Sequence, residues 1–245
     1  MTPDTDTTSA DTITAPDVSV VIPCYNHAEF LGEAIASVEA QTRHGWEIVV
    51  VDDGSEYAQK REIARIAENH RHFRQGNKGL PAARNTGIRE ARGEYVVCLD
   101  ADDRLLPDYL DKALAVACST CVVCPGLRMF GDRDEVFLPV HPLGAVGMFR
   151  MPGIFVRNSI FQSSLFPRSL WRRVGGYDEN MLMGYEDWEF WIRLAKAGAR
   201  FELVEEPLYE YRVRTGSMIS SAERNHEAIV AYMAMKHPEM RMSWG

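Results

Sequence analysis

Asp100 and Asp102 stand two residues apart at the end of an apolar run, Tyr95 to Leu99. In extended backbone such a pair can point the same way. Two hard oxygen ligands with open positions suit Mg2+ or Mn2+, whose shell is completed by water and by a substrate's phosphate oxygens. A second acidic pair, Asp52-Asp53, ends another apolar run, Trp46 to Val51, and is followed by Gly54-Ser55. A third, Glu186-Asp187, opens a segment carrying Trp188, Phe190, Trp191 and Leu194. Gathered carboxylates repel one another unless something cationic lies between them. An isolated D-x-D is also a common turn former and helix cap, so its meaning depends on the elements that present it.

Those elements alternate. Val18 to Pro23 is a short β-branched run typical of a strand buried on both faces. Asn26 and Glu29 sit at capping-box spacing, and Phe30, Leu31, Ala34, Ile35 and Val38 mark one face of the helix behind them. The run at Trp46 is a second strand, followed by a polar helix from about Tyr57 to Asn69. Pro81 opens the next helix, Gly93 stops it, and Tyr95 to Leu99 is a third strand. A further helix comes after Pro107, with a fourth strand near Thr120 to Val123. Alternation of this kind predicts a parallel sheet covered by helices. In such sheets ligands bind beyond the carboxyl ends of the strands, where Pro23-Cys24-Tyr25-Asn26 and both aspartate clusters fall.

The second half has a different rhythm. Residues 125–170 are rich in Gly, Pro, Phe and Met without a clean period. Asp187 to Ala197 reads as an amphipathic helix, Phe201 to Arg214 as an edge strand or hairpin, and the last thirty residues as helical. Residues 1–17 read as a disordered leader, and 222–245 as a C-terminal helical segment.

Composition narrows the function. Hydrophobic residues make up 46% of the 245, enough for a sizeable core. A net charge of -8 argues against a nucleic-acid groove, and no run reaches the ~20 apolar residues of a membrane span. The N-terminus lacks the basic start and apolar middle of a secretory signal, so a cytoplasmic location is expected. In that compartment the five cysteines are expected as thiols, including the C-x2-C-x2-C of Cys118, Cys121 and Cys124. A metal site is not expected there, because no fourth cysteine comes after them and residues three apart on a strand face opposite ways.

Six segments occur in a particular order: Val-Ser-Val-Val-Ile-Pro-Cys-Tyr-Asn (18–26), Val-Asp-Asp-Gly-Ser (51–55) and Asn-Lys-Gly-Leu-Pro-Ala-Ala-Arg-Asn-Thr-Gly (77–87), then Gly-Glu-Tyr-Val-Val-Cys-Leu-Asp-Ala-Asp-Asp (93–103), Gly-Gly-Tyr-Asp-Glu (175–179) and Tyr-Glu-Asp-Trp-Glu-Phe (185–190). In these the chain resembles the inverting family 2 glycosyltransferases of the GT-A fold, from Val18 to about Ser221. The resemblance implies an α/β nucleotide-diphospho-sugar transferase fold, with a mostly parallel central sheet and flanking helices. It implies a nucleotide-binding half at 18–124 and an acceptor-binding half at 125–221.

It also assigns roles. Pro23, Tyr25, Asn26 and Asp53 should line the nucleotide pocket, Tyr25 stacking on a uracil and Asp53 accepting from its imino group. Arg84 should lie near base and phosphates, with Lys78 as a weaker candidate. Asp100 should contact ribose or metal, Asp102 should ligate the metal, and Asp103 should cap the segment after it. Asp187 matches the base that deprotonates the acceptor hydroxyl, Glu186 is its runner-up, and Trp188 offers a sugar platform. Together these imply transfer of one sugar from a nucleotide-diphospho-sugar, a UDP-sugar above all, with a divalent metal on the diphosphate.

One position departs from the family. Many relatives carry Tyr-Arg-x-His where this chain has Tyr211-Arg212-Val213-Arg214. Arginine cannot ligate a metal but can pair with phosphate, so Arg214 is expected on the diphosphate, with His226 as an alternative ligand. The acceptor stays open: a glycan, lipid-linked sugar, peptide or natural-product aglycone. Met148, Phe149, Met151, Phe155 and Phe161 could form an apolar acceptor surface or ordinary core. The rivals are a nucleotide-sugar binder without turnover and a nucleotidyltransferase, which usually has a Gly-rich basic loop after the first strand. A dinucleotide-dependent oxidoreductase lacks its G-x-G-x-x-G here.

Overall fold

The computed structural model describes residues 15–139, 153–214, 222 and 224–243. Largely apolar seven-residue segments give β1 (Val18–Cys24) and β2 (Trp46–Asp52), which pair in parallel over their whole length. β3 (Arg71–Arg74) lies outside β2, and β4 (Tyr95–Cys98) lies on the other side of β1, both parallel. The connections are α1 (Ala28–Glu39), α2 (Tyr57–Ile66) and α3 (Leu80–Glu90). This is the alternation read from the sequence, with β3 added; its polar Arg-His-Phe-Arg offers no apolar run to detect.

Beyond β4 the sheet becomes mixed. After β5 (Arg104–Leu105) and α4 (Tyr109–Val116) comes β6 (Cys121–Gly131), with β7 (Val136–Phe137) hairpinned against it. β8 (Leu165–Pro167) inserts antiparallel between β4 and β6, and β9 (Arg200–Val213) runs parallel to β6. The order is β3-β2-β1-β4-β8-β6-β9-β5. The fourth expected strand is therefore the start of an eleven-residue strand separated from β4 by β8. β9 is not an edge strand: β6 flanks it on one side and β5 on the other. A single sheet thus runs through both expected halves.

Alternation along β1 sends Val20 and Ile22 to a core beneath α1, α2 and α4, and Val21 to a core beneath α3. The second core also takes α5 (Arg168–Val174), α6 (Glu186–Lys196) and α7 (His226–Lys236). Its centre is aromatic: Phe190 stacks on Tyr177 at 4.2 Å between centroids and meets Phe166 edge-on at 5.3 Å. Gly87 allows α3 to sit on the sheet, since a Cβ there would collide with Val21. Phe155 is buried in this core, while Met148, Phe149 and Met151 lie outside the described residues.

Two local expectations are corrected. Asn26 has φ 55° and does not cap α1; His27 is the N-cap, and the Asn26 side chain accepts from the Glu56 amide at 2.9 Å instead. Cys118 and Cys121 form a disulfide across a turn that brings their Cα atoms to 5.0 Å, so the five cysteines are not all thiols. The thiol expectation rested on a reducing compartment; Cys118 precedes the strand that starts at Cys121, so strand alternation does not keep the two apart. Cys24, Cys98 and Cys124 are free and buried. Of the expected leader, residues 1–14 lie outside the described residues, and Asp17 is tied to Gly45 through its amide at 2.7 Å. Among the described residues no helix is long and apolar enough to cross a membrane.

Candidate functional site

The loops after β1, β2 and β4 converge at the carboxyl edge of the sheet. The Asp53 amide donates to the Cys24 carbonyl at 2.9 Å, and the Asn26 amide to Ser55 Oγ at 2.9 Å. Gly54 makes this approach possible: its φ is +84°, and a Cβ would strike the Asn77 backbone. The buried Asp53 carboxylate accepts from Gln75 Nε2 at 2.7 Å, the Lys78 backbone N–H at 3.0 Å and the Gly79 backbone N–H at 2.8 Å. Asp53 therefore fixes the loop that starts α3. Its neighbour Asp52 is fully buried against Arg74 and the Ser55 amide, a structural pair.

These loops border a cleft of about 390 Å3 lined by Pro23, Tyr25, His27, Asp53, Asn77, Gly79, Asp100, Asp102, Leu182, Tyr211 and Arg214, among others. Tyr25 is 45% exposed, which leaves its ring free to stack on a ligand. Asn26 supports the loop rather than facing the cleft, and Lys78 contributes its backbone amide. Pro23, Tyr25, Asp53, Asp100, Asp102 and Arg214 all line this one cleft.

Arg214 lies on Asp102, with Nε 3.1 Å from Oδ2, and its Nη2 contacts His27 Nε2 at 2.6 Å. Since arginine only donates, His27 must accept as a neutral imidazole. Burial, the largest influence on His27, lowers its pKa in the same sense. Arg212 fixes the end of β9: its amide donates to Asp103 Oδ1 at 2.9 Å and its Nε to the Asp102 carbonyl at 2.8 Å. Asp103 thus anchors β9 rather than capping the segment after it.

Two carboxylates, Asp100 and Asp102, face this cleft, and burial followed by the Asp100 charge raises the Asp102 pKa. A cation would relieve that repulsion. Among the described residues no group of three or more His, Cys, Asp or Glu is arranged to hold a metal. The pair fits Mg2+ or Mn2+ only if ligand oxygens complete the shell.

Arg84 departs from its expected place. It is 1% exposed and lies beneath Asp100, donating to Asp100 Oδ1 at 2.8 Å and to Glu186 Oε1. Gln162, with its amide oxygen turned to the guanidinium, accepts from Nε and Nη2 at 3.0 Å. Arg84 is therefore a buried link between two carboxylates, and Glu186 is held as its partner.

A second cleft of about 300 Å3 adjoins the first, sharing Leu80, Asp100 and Tyr211. Asp187 stands in it at the start of α6, where Tyr185 adopts a left-handed φ of 59°. The Asp187 carboxylate accepts from Asn158 Nδ2 at 2.9 Å and from the Trp188 amide at 2.7 Å. Burial, with the Glu186 charge next, pushes its pKa up to about 7. A half-buried carboxylate poised there can take a proton near neutral pH. Trp188 is buried, its indole N–H bonded to the Ile154 carbonyl at 2.6 Å, so it supports the helix and offers no platform. His226 meets the Tyr185 hydroxyl at 3.1 Å and does not line the first cleft.

Sequence reasoning missed His27, Asn158, Gln162 and Arg212. His27 lies beside the Pro-Cys-Tyr-Asn segment and could have been suspected; Asn158 and Gln162 fall in the stretch without period.

The model of the glycosyl transferase family 2 matches residues 19–174. The succinoglycan biosynthesis protein ExoO of Rhizobium meliloti is 30% identical over 240 residues, covering 88% of this chain and 66% of the relative. The putative glycosyltransferase EpsH of Bacillus subtilis is 28% identical, covering 85% of this chain and 64% of EpsH; two Rickettsia relatives are covered over only 33% of their length. Among solved structures, S. aureus TarS in complex with UDP-GlcNAc matches at TM-score 0.69 and 21% identity, over 89% of this chain and 66% of that one. The mannosyltransferase PcManGT from Pyrobaculum calidifontis, with GDP-Man and Mn2+, matches at 0.64 and 21%, over 87% and 61%.

Proposed function

The chain belongs to the family 2 glycosyltransferases, and from that premise we propose that it transfers one sugar from a nucleotide-diphospho-sugar to an acceptor hydroxyl with inversion. The observation that carries this reading is the pair of adjoining clefts: Asp100 and Asp102 border one, Asp187 stands in the other, and Asp100 belongs to both. A sugar bridging the shared wall would present C1 to a hydroxyl held by Asp187.

In the donor cleft Tyr25 is free to stack on a base, and Arg214 is positioned to exchange Asp102 for a phosphate. Asp102, with Asp100, would hold Mg2+ or Mn2+, which would stabilise charge developing on the leaving diphosphate. In support, TarS binds UDP-GlcNAc and PcManGT binds GDP-Man with Mn2+. We assign the donor to the UDP-sugars and the proton acceptor to Asp187, with Asn158 orienting it. Glu186, paired with Arg84, lies beside Asp187, and its charge helps raise the Asp187 pKa.

The test is to incubate the protein with Mn2+ and separate UDP- and GDP-sugars and measure nucleoside diphosphate release. Release from a UDP-sugar that is lost in Asp187→Asn supports the reading. Release unaffected by that substitution contradicts the assignment of Asp187.

A further inference from the structure

The polar side chains of the second cleft are largely paired with one another. Arg84 bonds Asp100, Glu186 and Gln162. Asn158 donates to Asp187 and accepts from the Ile160 amide at 3.3 Å. The Tyr185 hydroxyl meets His226. Among the described residues, an incoming molecule finds the Asp187 carboxylate, the Asp100 carboxylate at the wall shared with the first cleft, the phenols of Tyr209 and Tyr211, and an apolar wall of Leu127, Met129, Ile160 and Phe161. Phe161 packs edge-on against Tyr209 with centroids 6.5 Å apart. The wall continues outward, because β7 pairs Phe137 opposite Leu127, and Val136, Phe137 and Leu138 are exposed.

That lining offers few free hydrogen-bond partners and a wall that offers none, so it suits a molecule with few hydroxyls rather than many. A sugar ring carries several hydroxyls, and each one desolvated against leucine, isoleucine or phenylalanine without a partner costs free energy. A ring or alkyl chain loses nothing there and gains from leaving water. The volume of about 300 Å3 lies at the small end of ligand sites.

We infer that the acceptor carries its hydroxyl on an apolar body, as an aromatic or alkyl alcohol does, and not on a free sugar. The inference rests on the reading of Asp187 as the base. It names the substrate class of that same cleft. The hydroxyl would lie against Asp187 with the apolar body along Leu127, Ile160 and Phe161. On transfer, the acceptor oxygen bonds to sugar C1, the C1–phosphate bond breaks, and the acceptor proton passes to Asp187.

Saturation-transfer NMR on the full chain tests this with 4-methylumbelliferone as the apolar phenol and maltose as the polyol. Binding of the phenol alone is expected, weakened about tenfold in Phe161→Ser and in Met129→Ser, and unchanged in Met235→Ser on the exposed face of α7. Thermal melts identify any variant that fails to fold, and the half-buried Met129 is the fallback for Phe161. Preference for maltose, binding of neither probe, or phenol binding indifferent to both cleft variants would overturn the inference. UDP is titrated on the same samples. Loss of UDP binding with phenol binding intact counts against the donor reading alone, and the reverse counts against this inference alone.

Discussion

Arg214 pairs with Asp102 at 3.1 Å just beyond the end of a long strand, where its neighbour Arg212 is bonded to both Asp102 and Asp103. The guanidinium thus stands where a bound cation would otherwise neutralise Asp102. On the proposed function, this fixed positive charge would pair with the diphosphate. Removing it should weaken nucleotide binding and make it more dependent on metal.

Arg214→Ala is therefore expected to lower affinity for UDP by about tenfold or more, as loss of a charge-assisted pair does. Arg214→His should recover part of the loss only when Mn2+ is present. Calorimetric titration with and without Mn2+ checks both.

Asp187→Asn should cut turnover by about a hundred- to ten-thousandfold while leaving UDP binding intact. A base must be deprotonated to act, and the Asp187 pKa is pushed up to about 7, so on the proposed role activity should fall as pH drops through 7 and level off above it. Asn158 favours the charged form, so Asn158→Ala should move that limb to higher pH. A pH–rate profile of each variant reads this directly.

The residues that line the first cleft were largely legible in the sequence. Pro23, Tyr25, Asp53, Asp100 and Asp102 each lie at or just past the end of a strand that apolar run length reveals, and parallel strands bring their carboxyl ends together. The acceptor side was not legible in the same way. Asn158 and Gln162 lie in a stretch with no period, and their partners are 29 and 78 residues away, which no local pattern encodes. Arg84 illustrates the limit most clearly. Its motif identified the residue, but only the tertiary structure brings Glu186, 102 residues away at the start of α6, to its guanidinium.

That inward turn has a cost if it is broken. Arg84→Met would leave Glu186 buried without its counter-charge, a change that typically destabilises by about 3–5 kcal/mol. The double variant Arg84→Met/Glu186→Leu should regain part of that stability. Urea unfolding midpoints of the three proteins check it.

α7 is fastened to α6 through Glu189, a fully buried carboxylate that meets Arg193, Lys236 and His237. Although burial alone would raise its pKa, hydrogen bonds to His237 and Arg193 hold it down at about 2. A depressed carboxylate pKa stabilises the fold above the unfolded value, and that contribution is lost as pH falls from about 4.5 towards 2. On the order of 3 kcal/mol is at stake. Glu189→Gln should be less stable at neutral pH and show a flatter decline over that window in thermal melts.

The Cys118–Cys121 bond predicts a thiol count. Denatured, unreduced protein should titrate three thiols, and reduced protein five. Five without reduction would exclude the bond.

The most direct test of the donor cleft is calorimetric titration of UDP into the protein and into Asp102→Ala, each with and without Mn2+. Mn2+ should strengthen binding to the parent protein, and Asp102→Ala should abolish this enhancement, leaving weaker binding carried by Arg214. No binding of UDP under any of these conditions, in folded protein, would contradict the donor reading.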